Sequence, residues 1–375
     1  MTSPSSVQNS VSGPARVADV EEAVSLDELQ LAARNHGMPL EALRYDVTPA
    51  GLHYLLVHYD IPFLDPATWR LAVTGQVTRE LTIDLAALRA MPRQTRRVTF
   101  ECAGNGRARL TPRPVSQPWL TEAVGTAEWT GVPLTAVLEE AGVLPDAVDV
   151  AFAGADHGIE RGVEQDYERG LRLADAMDGE VLLADEMNGA PLPPQHGAPV
   201  RLVAPGWYGM AQVKWLQRIT VLDRPFEGFQ NVTAYRFKQG DESGDPVTRI
   251  LPRALMTPPG FPDFMSRVRI VERGRHALSG RAWSGWGPIT RVEVSTDGGT
   301  SWDDASLDPG DPDGSDRWAW RKWAFDWDAR RDGPTELLCR ATDQLGQVQP
   351  VEQPWNRQGM ANNMVQRIPV LVRGS

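Results

Sequence analysis

The sequence predicts an α+β protein in two blocks, a mixed α+β block over residues 46–250 and an all-β block over 251–375, behind an arm of residues 1–45. Three observations carry this. At 375 residues the chain exceeds the roughly 250–300 residues at which one core stops growing. Its 34 Gly and 30 Pro suit short strands and many turns better than a helical bundle. The apolar pattern also changes along the chain: strand-like runs alternate with brief helical periods up to about residue 222, and beyond about residue 262 period 2 alone remains.

The elements follow in order. Residues 1 to about 22, starting MTSPSSVQNS, are Ser-rich and lack an apolar period, so a disordered lead is expected. SLDELQLAAR places Ser25 three residues before Glu28, a capping box opening a short helix. WRLAVTGQV and RVTFE read as strands, TIDLAALRAM as one helix. VPLTAVLEEAG is another helix, with Pro133 suited to its first turn and Gly142 to its stop. VRLVAP and VKWLQRITVL are strands. Between residues 223 and 262, GDESGDPV and MTPPGFPDF are dense in Pro, Gly and acid and read as a linker between domains. TRVEVSTDGGTSWDDA alternates, turns on Asp-Gly-Gly and returns as an aromatic strand, a hairpin signature. WAWRKWAFDW and TELLCRATD keep the alternation, and about seven short strands over the last ~110 residues predict an immunoglobulin-like sandwich.

A net charge of −11 argues against a nucleic-acid partner, which needs a basic face, but allows a local basic pocket for a small anion. No run of about 18 apolar residues occurs, so no membrane span is expected. The start shows no basic n-region, apolar h-region or twin arginine, and a cytoplasmic location is expected. Cys102 and Cys339, the two cysteines, are too few for a disulfide framework or a zinc cluster.

In RVTFECAGNGR, Cys102 ends a strand and is followed by Ala103, Gly104, Asn105 and Gly106. Small residues there let a backbone or bulky ligand approach closely. The thiolate suits a nucleophile or a soft metal ligand; the local pattern alone equally allows a buried, inert cysteine. A cysteine-protease reading lacks support, because none of the six histidines carries a recognisable local signature.

ECAGNGR resembles the molybdenum-ligating loop of the sulfite oxidase family, which usually reads C-A-G-N-R-R. TPAGLHYLLVHYDIPFLDPATWRLAVTG is similar to that family's N-terminal catalytic segment, and VLLADEMNGAPLPPQHGAPVRLVAPGWYGMAQVKWLQRITV to its pterin-binding segment. RAWSG, VEVSTDGGTSW, LCRATD and QPWNRQG resemble its dimerisation domain, so the likeness runs from about residue 45 to 375. It implies a sulfite-oxidase-type molybdopterin domain followed by a dimerisation domain, a homodimer, and one molybdenum–molybdopterin per chain with Cys102 as the single protein ligand. By the same likeness His58, Asp156, His196, Arg201, Gln212, Val213 and Lys214 contact the cofactor, and an arginine fork suits its phosphate. The implied activity is oxo transfer to a sulfur substrate, foremost sulfite to sulfate, with electrons passing to an external acceptor such as a cytochrome. No C-x-x-C-H motif occurs, and no haem is expected.

Three departures fall where the family usually binds its anion. Leu56-Val57-His58 stands for Arg-Asn-His, while an Arg34-Asn35-His36 occurs two dozen residues earlier. Asp185 replaces a tyrosine the family uses in its active site, and Trp286 and Pro288 stand where it reads GGGR. A carboxylate at Asp185 would repel a sulfite about 6 Å away by a few kcal/mol. Protonated, it would serve as a donor; paired, it would be structural. Arg107 and Tyr208 remain as anion contacts, and Cys102, Asp185 and Arg107 are the catalytic candidates. The departures keep two alternatives open: a less anionic substrate such as a sulfoxide or other S- or N-oxide, and a cofactor-binding homologue without turnover.

Overall fold

The computed structural model describes residues 16–374. Most of the lead expected to be disordered, residues 1–15, lies outside the described residues. Residues 16–22, expected to continue it, are instead fastened down. Val17 bridges Pro114, the Ala18 N–H donates to Arg113 O at 2.8 Å, and Arg16 pairs with Glu22 at 2.6 Å. The reason is Glu28: its carboxylate closes the capping box with Ser25 and is buried, so Arg113 pairs with it at 2.9 Å and holds the arm against the loop.

The helix Leu26–Arg34 forms as its cap predicts. The chain then runs back along residues 55–57. His36 and Leu55 exchange backbone hydrogen bonds at 3.1 and 2.8 Å, and Asn35 Oδ1 accepts the Val57 N–H at 2.7 Å.

The first block holds two sheets. Its strands are β1 (Arg70–Gly75), β2 (Leu81–Asp84), β3 (Gln94–Glu101), β4 (Val124–Pro133), β5 (Asp149–Glu160), β6 (Val163–Arg172), β7 (Leu182–Met187), β8 (Ala190–Pro191), β9 (Arg201–Val203) and β10 (Leu216–Leu222). One sheet runs β2-β1-β10-β5-β6; β1 and β10 are parallel, in register Val73 to Ile219. The other runs β3-β4-β7-β8, with β9 on β7. Leu71, Val73, Phe152 and Ile219 are wholly buried from the first sheet, and the helix Leu134–Ala141 contributes Val137 and Leu138 to the same core. Pro133 sits just ahead of this helix rather than within its first turn, and Gly142 ends it at φ +71°. The segment expected to be one helix, TIDLAALRAM, splits. β-Branched Thr82 and Ile83 pair in β2, and Asp84 Oδ1 caps the Ala87 N–H at 2.8 Å to start a helix at Leu85.

The second block is β-rich. Arg253–Met256 pairs with Gly274–Trp283, which pairs with Arg321–Ala329 in a four-stranded sheet. A six-stranded sheet is centred on Gln366–Arg373, Gly333–Asp343 and Ile289–Ser295. The expected hairpin is present, with Glu293 opposite Asp304. Val292, Val294, Trp323, Leu337 and Val370 fill its core. Leu255, Trp283, Trp320 and Met360 bury instead into the core of the first block, so the two blocks meet across a packed apolar seam. Among the described residues no helix is long and apolar enough to cross a membrane.

Candidate active site

β3 ends with Glu101 opposite Val124, and the Cys102 N–H makes the last strand-like bond, to Ala123 O at 2.9 Å. The chain then turns tightly, Asn105 N–H to Cys102 O at 2.9 Å. Gly106 takes φ +87°, where a Cβ would also meet Asn362 Nδ2 at 2.8 Å, so this position suits glycine. Cys102 is a free, buried thiol. Burial pushes its pKa up; the Arg107 charge and the Gly104 N–H, 3.4 Å from Sγ, pull it back.

Cys102 opens onto a cavity between the two sheets' loops and the chain from residue 53 to 58. Of the residues the sequence singled out, the structure brings His58, Cys102, Asp156, His196, Arg201, Gln212 and Lys214 together on its wall, with Leu56 among them. Gly209 lines it too, and a Cβ there would sit 2.5 Å from the Tyr54 hydroxyl.

Four of the expected residues lie off the cavity wall. Asp185 does not line the cavity: its buried carboxylate lies 2.6 Å from Arg89 Nε and 2.8 Å from Arg93 Nη2, so it is a structural ion pair. Arg107 does not line it either. Its guanidinium packs behind the thiol loop, where a Cβ on Gly104 would touch it at 2.6 Å, and its Nε donates to Gln358 O at 2.9 Å. It acts on Cys102 through charge rather than contact. Val213 faces the core, and its backbone is used within the protein, donating to Ala211 O at 3.1 Å and accepting from Leu202 N–H at 2.8 Å. Tyr208 turns its hydroxyl to the Leu251 N–H at the seam. Arg34, for its part, donates to Tyr59 O at 2.5 Å on the outside of the wall, and the Pro288 carbonyl accepts the Gln344 N–H.

Sequence reasoning missed His53, Tyr54, Tyr167 and Tyr235, which also line the cavity. The first two lie within the stretch LHYLLVH and could have been found there; Tyr167 and Tyr235 carry no local signal. Tyr167 donates to Met210 O at 2.7 Å.

The wall carries two basic side chains, Arg201 and Lys214, beside Asp156. Arg201 donates only to carbonyls, His196 O at 2.8 Å and Gln212 O at 3.0 Å, and lies over the Phe100 and Trp129 rings. Burial lowers its pKa to about 10. Lys214 Nζ donates to Leu56 O at 2.8 Å and Gln195 O at 3.2 Å; burial, then repulsion from Arg201, lowers it to about 7. Burial lowers His196 to about 2, assisted by His53 and Arg201. Asp156 is raised to about 6 by burial, against the attraction of Lys214 and His58, and its Oδ1 has no hydrogen-bond partner. His53 Nε2 is likewise unpartnered. At the mouth His58 Nε2 lies 2.8 Å from Glu160; burial would raise that carboxyl, but the His58 hydrogen bond and charge hold it down at about 2.

Two buried cations satisfied by neutral carbonyls alone call for an anion. The orphaned Asp156 Oδ1 and His53 Nε2 call for hydrogen-bonding partners from a ligand. Among the described residues no cluster of three or more His, Cys, Asp or Glu could hold a metal, so a metal here would take Cys102 and bring its other ligands with it. The residues present therefore fit a phosphate-bearing, donor-rich group that carries a thiolate-binding metal.

Fold and site together define a molybdopterin oxidoreductase scaffold, and comparison with known proteins agrees. The family model "Oxidoreductase molybdopterin binding domain" matches residues 58–230, and "Mo-co oxidoreductase dimerisation domain" matches 261–373. The chain is 36% identical to mitochondrial sulfite oxidase of Homo sapiens, with 87% of this chain and 62% of that protein covered. It is 34% identical to sulfite oxidase of Gallus gallus, covering 84% and 71%. Among solved structures, the sulfane dehydrogenase SoxCD from Paracoccus pantotrophus superposes with a TM-score of 0.77 at 27% identity, covering 98% of this chain and 90% of that one. The chain belongs to the sulfite oxidase family. It spans less than two thirds of the length of the human relative.

Proposed function

We propose that this protein oxidises sulfite to sulfate at a molybdenum–molybdopterin held in the cavity, with water supplying the oxygen and two electrons passing to an external acceptor such as a cytochrome. The observation that carries the reading is a lone buried thiol, Cys102, sharing one cavity with Arg201 and Lys214, two cations without a carboxylate hydrogen-bonded to them. When bound, the group supplies oxo transfer and the redox equivalents. Cys102 would ligate its metal, Arg201, Lys214, Gln212 and His196 would hold its phosphate end, and Asp156 and His53 would take its ring donors and acceptors. Arg107 favours the thiolate by its charge and so readies Cys102 for ligation. Phe100, Tyr54, Tyr167 and Tyr235 line the cavity and limit water access. His58 faces the cavity with one side and Glu160, partly exposed, with the other, a path by which a proton on its ring nitrogen reaches solvent. A homodimer through residues 261–373 completes the proposal.

Sulfite is the first reading by likeness to the sulfite oxidases, and one charge objection to it falls away. The repulsion expected from Asp185 does not arise, because Arg89 and Arg93 neutralise that carboxylate away from the cavity. Two observations favour a second reading, a sulfane-type sulfur substrate: apolar Leu56 lines the wall, and the sulfane dehydrogenase superposes over 98% of this chain. Sulfite-dependent reduction of ferricyanide by cofactor-loaded protein, abolished in Cys102→Ser with the fold kept, is the expected result. Turnover of thiosulfate with none of sulfite would replace the first reading by the second. Protein that binds the cofactor but turns over neither would be a non-catalytic homologue.

A further inference from the structure

We infer that the second block is a positioning element for the Cys102 loop, gripping it through Glu101 and through the backbone behind the thiol. Glu101 directly precedes Cys102 and is wholly buried. Its Oε1 lies 2.8 Å from Arg253 Nε and accepts Asn105 Nδ2 at 3.0 Å, while its Oε2 accepts the Trp283 indole N–H at 2.8 Å. Arg253 and Trp283 both belong to the second block. Arg253 is as buried as its partner and also donates to Asn362 O. Asn362 Nδ2 in turn donates to Gly106 O at 2.7 Å, and the Ala361 N–H donates to Ala103 O at 2.6 Å. Arg107 closes the series on Gln358 O.

The loop needs such support. Ala-Gly-Asn-Gly has almost no side-chain bulk with which to fix its own shape, and glycines lose the most freedom when ordered. The first block holds the loop from one side, through Ala123 O to the Cys102 N–H and through Thr121 O to Asn105. The other side belongs to the second block. A fully buried Glu–Arg pair is a poor way to gain stability, because well-packed apolar residues of the same volume do as well or better. The hydrogen bonds that Glu101 accepts from Trp283 and Asn105, beside the Arg253 charge, instead fix where the next residue points. Glu101, Arg253, Trp283 and Asn362 are thus positioning residues that act through the loop on the thiol.

The test is alkylation of the full-length, cofactor-free protein by iodoacetamide, read separately at each cysteine by peptide mass. Cys339 is wholly buried in the second core and reports global opening. In Asn362→Ala and in Arg253→Met, Cys102 should react about tenfold faster than in the parent, in line with easier local opening, with Cys339 unchanged and Arg253→Lys close to the parent. Equal acceleration at both cysteines would make these contacts merely structural and overturn the inference; no acceleration at Cys102 would overturn it too. If Arg253→Met fails to fold, Asn362→Ala decides alone. A final arm rests on the reading that Cys102 ligates the metal. In loaded Asn362→Ala the sulfur-to-metal absorption band and the metal's reduction potential should shift. Faster alkylation without any spectral shift would keep the grip and reject the ligand.

Discussion

Asp156→Asn separates what the cavity does for the fold from what it does for a ligand. The Asp156 carboxyl is raised by burial from 3.8 to about 6 in the folded chain. An acid raised on folding keeps its proton longer in the native state, so stability falls as pH climbs from 3.8 to about 6, and the whole penalty is present above that. A rise of about 2 pH units at about 1.4 kcal/mol each amounts to roughly 3 kcal/mol at neutral pH. An asparagine carries no such penalty. In cofactor-free protein the variant should therefore be more stable by up to about 3 kcal/mol at pH 7.5, with the gain shrinking towards pH 4.5. Urea unfolding followed by tryptophan fluorescence at the two pH values measures it. A midpoint at pH 7.5 equal to or below that of the parent, or a gain of the same size at both pH values, would refute the reasoning. The same variant should retain less molybdopterin when loaded, because it replaces the unpartnered carboxylate oxygen that the cavity offers to a ligand's donors.

Two further outcomes follow from the charges. Asp185→Asn should lower stability by about 2 kcal/mol through loss of a buried pair whose arginines keep some access to water, while KM and kcat for sulfite stay near the parent values; a large change in KM would return Asp185 to the active site. Glu160→Gln removes a carboxyl whose pKa folding depresses from 4.5 to about 2. That contribution is fully present above pH 4.5 and lost as pH falls towards 2, so the variant should melt lower than the parent at pH 7 and converge with it in acid. Thermal scans across that range check the trend.

The two-block architecture was legible because strand periodicity and turn chemistry are local. His196, Arg201, Gln212 and Lys214 were legible through the family likeness alone, because QHGAPVR and QVK lie inside one unbroken stretch that carries it. The direction of Asp185 was not. On β7 Leu182 and Ala184 pack into one core and Leu183 into another, so both faces are buried and the apolar pattern gives no sign of what Asp185 meets. Its arginine partners lie more than ninety residues upstream, out of reach of any short motif. Arg107 was misplaced for a similar reason: its acceptor Gln358 comes from the far end of the chain. TIDLAALRAM misled because one aspartate served as the boundary between two kinds of element rather than as a residue of a helix.

The Leu26–Arg34 helix and the residues after it have a practical consequence. His36 and Asn35 occupy the backbone of Leu55 and Val57, and the carbonyl between those two residues, on Leu56, receives the ammonium of Lys214. A gene trimmed to residue 58, where the recurrent domain begins, would discard both this buttress and the rung that Lys214 grips. The boundary that recurs among relatives is thus narrower than the piece of polypeptide that must be kept for the innermost chamber to hold its shape.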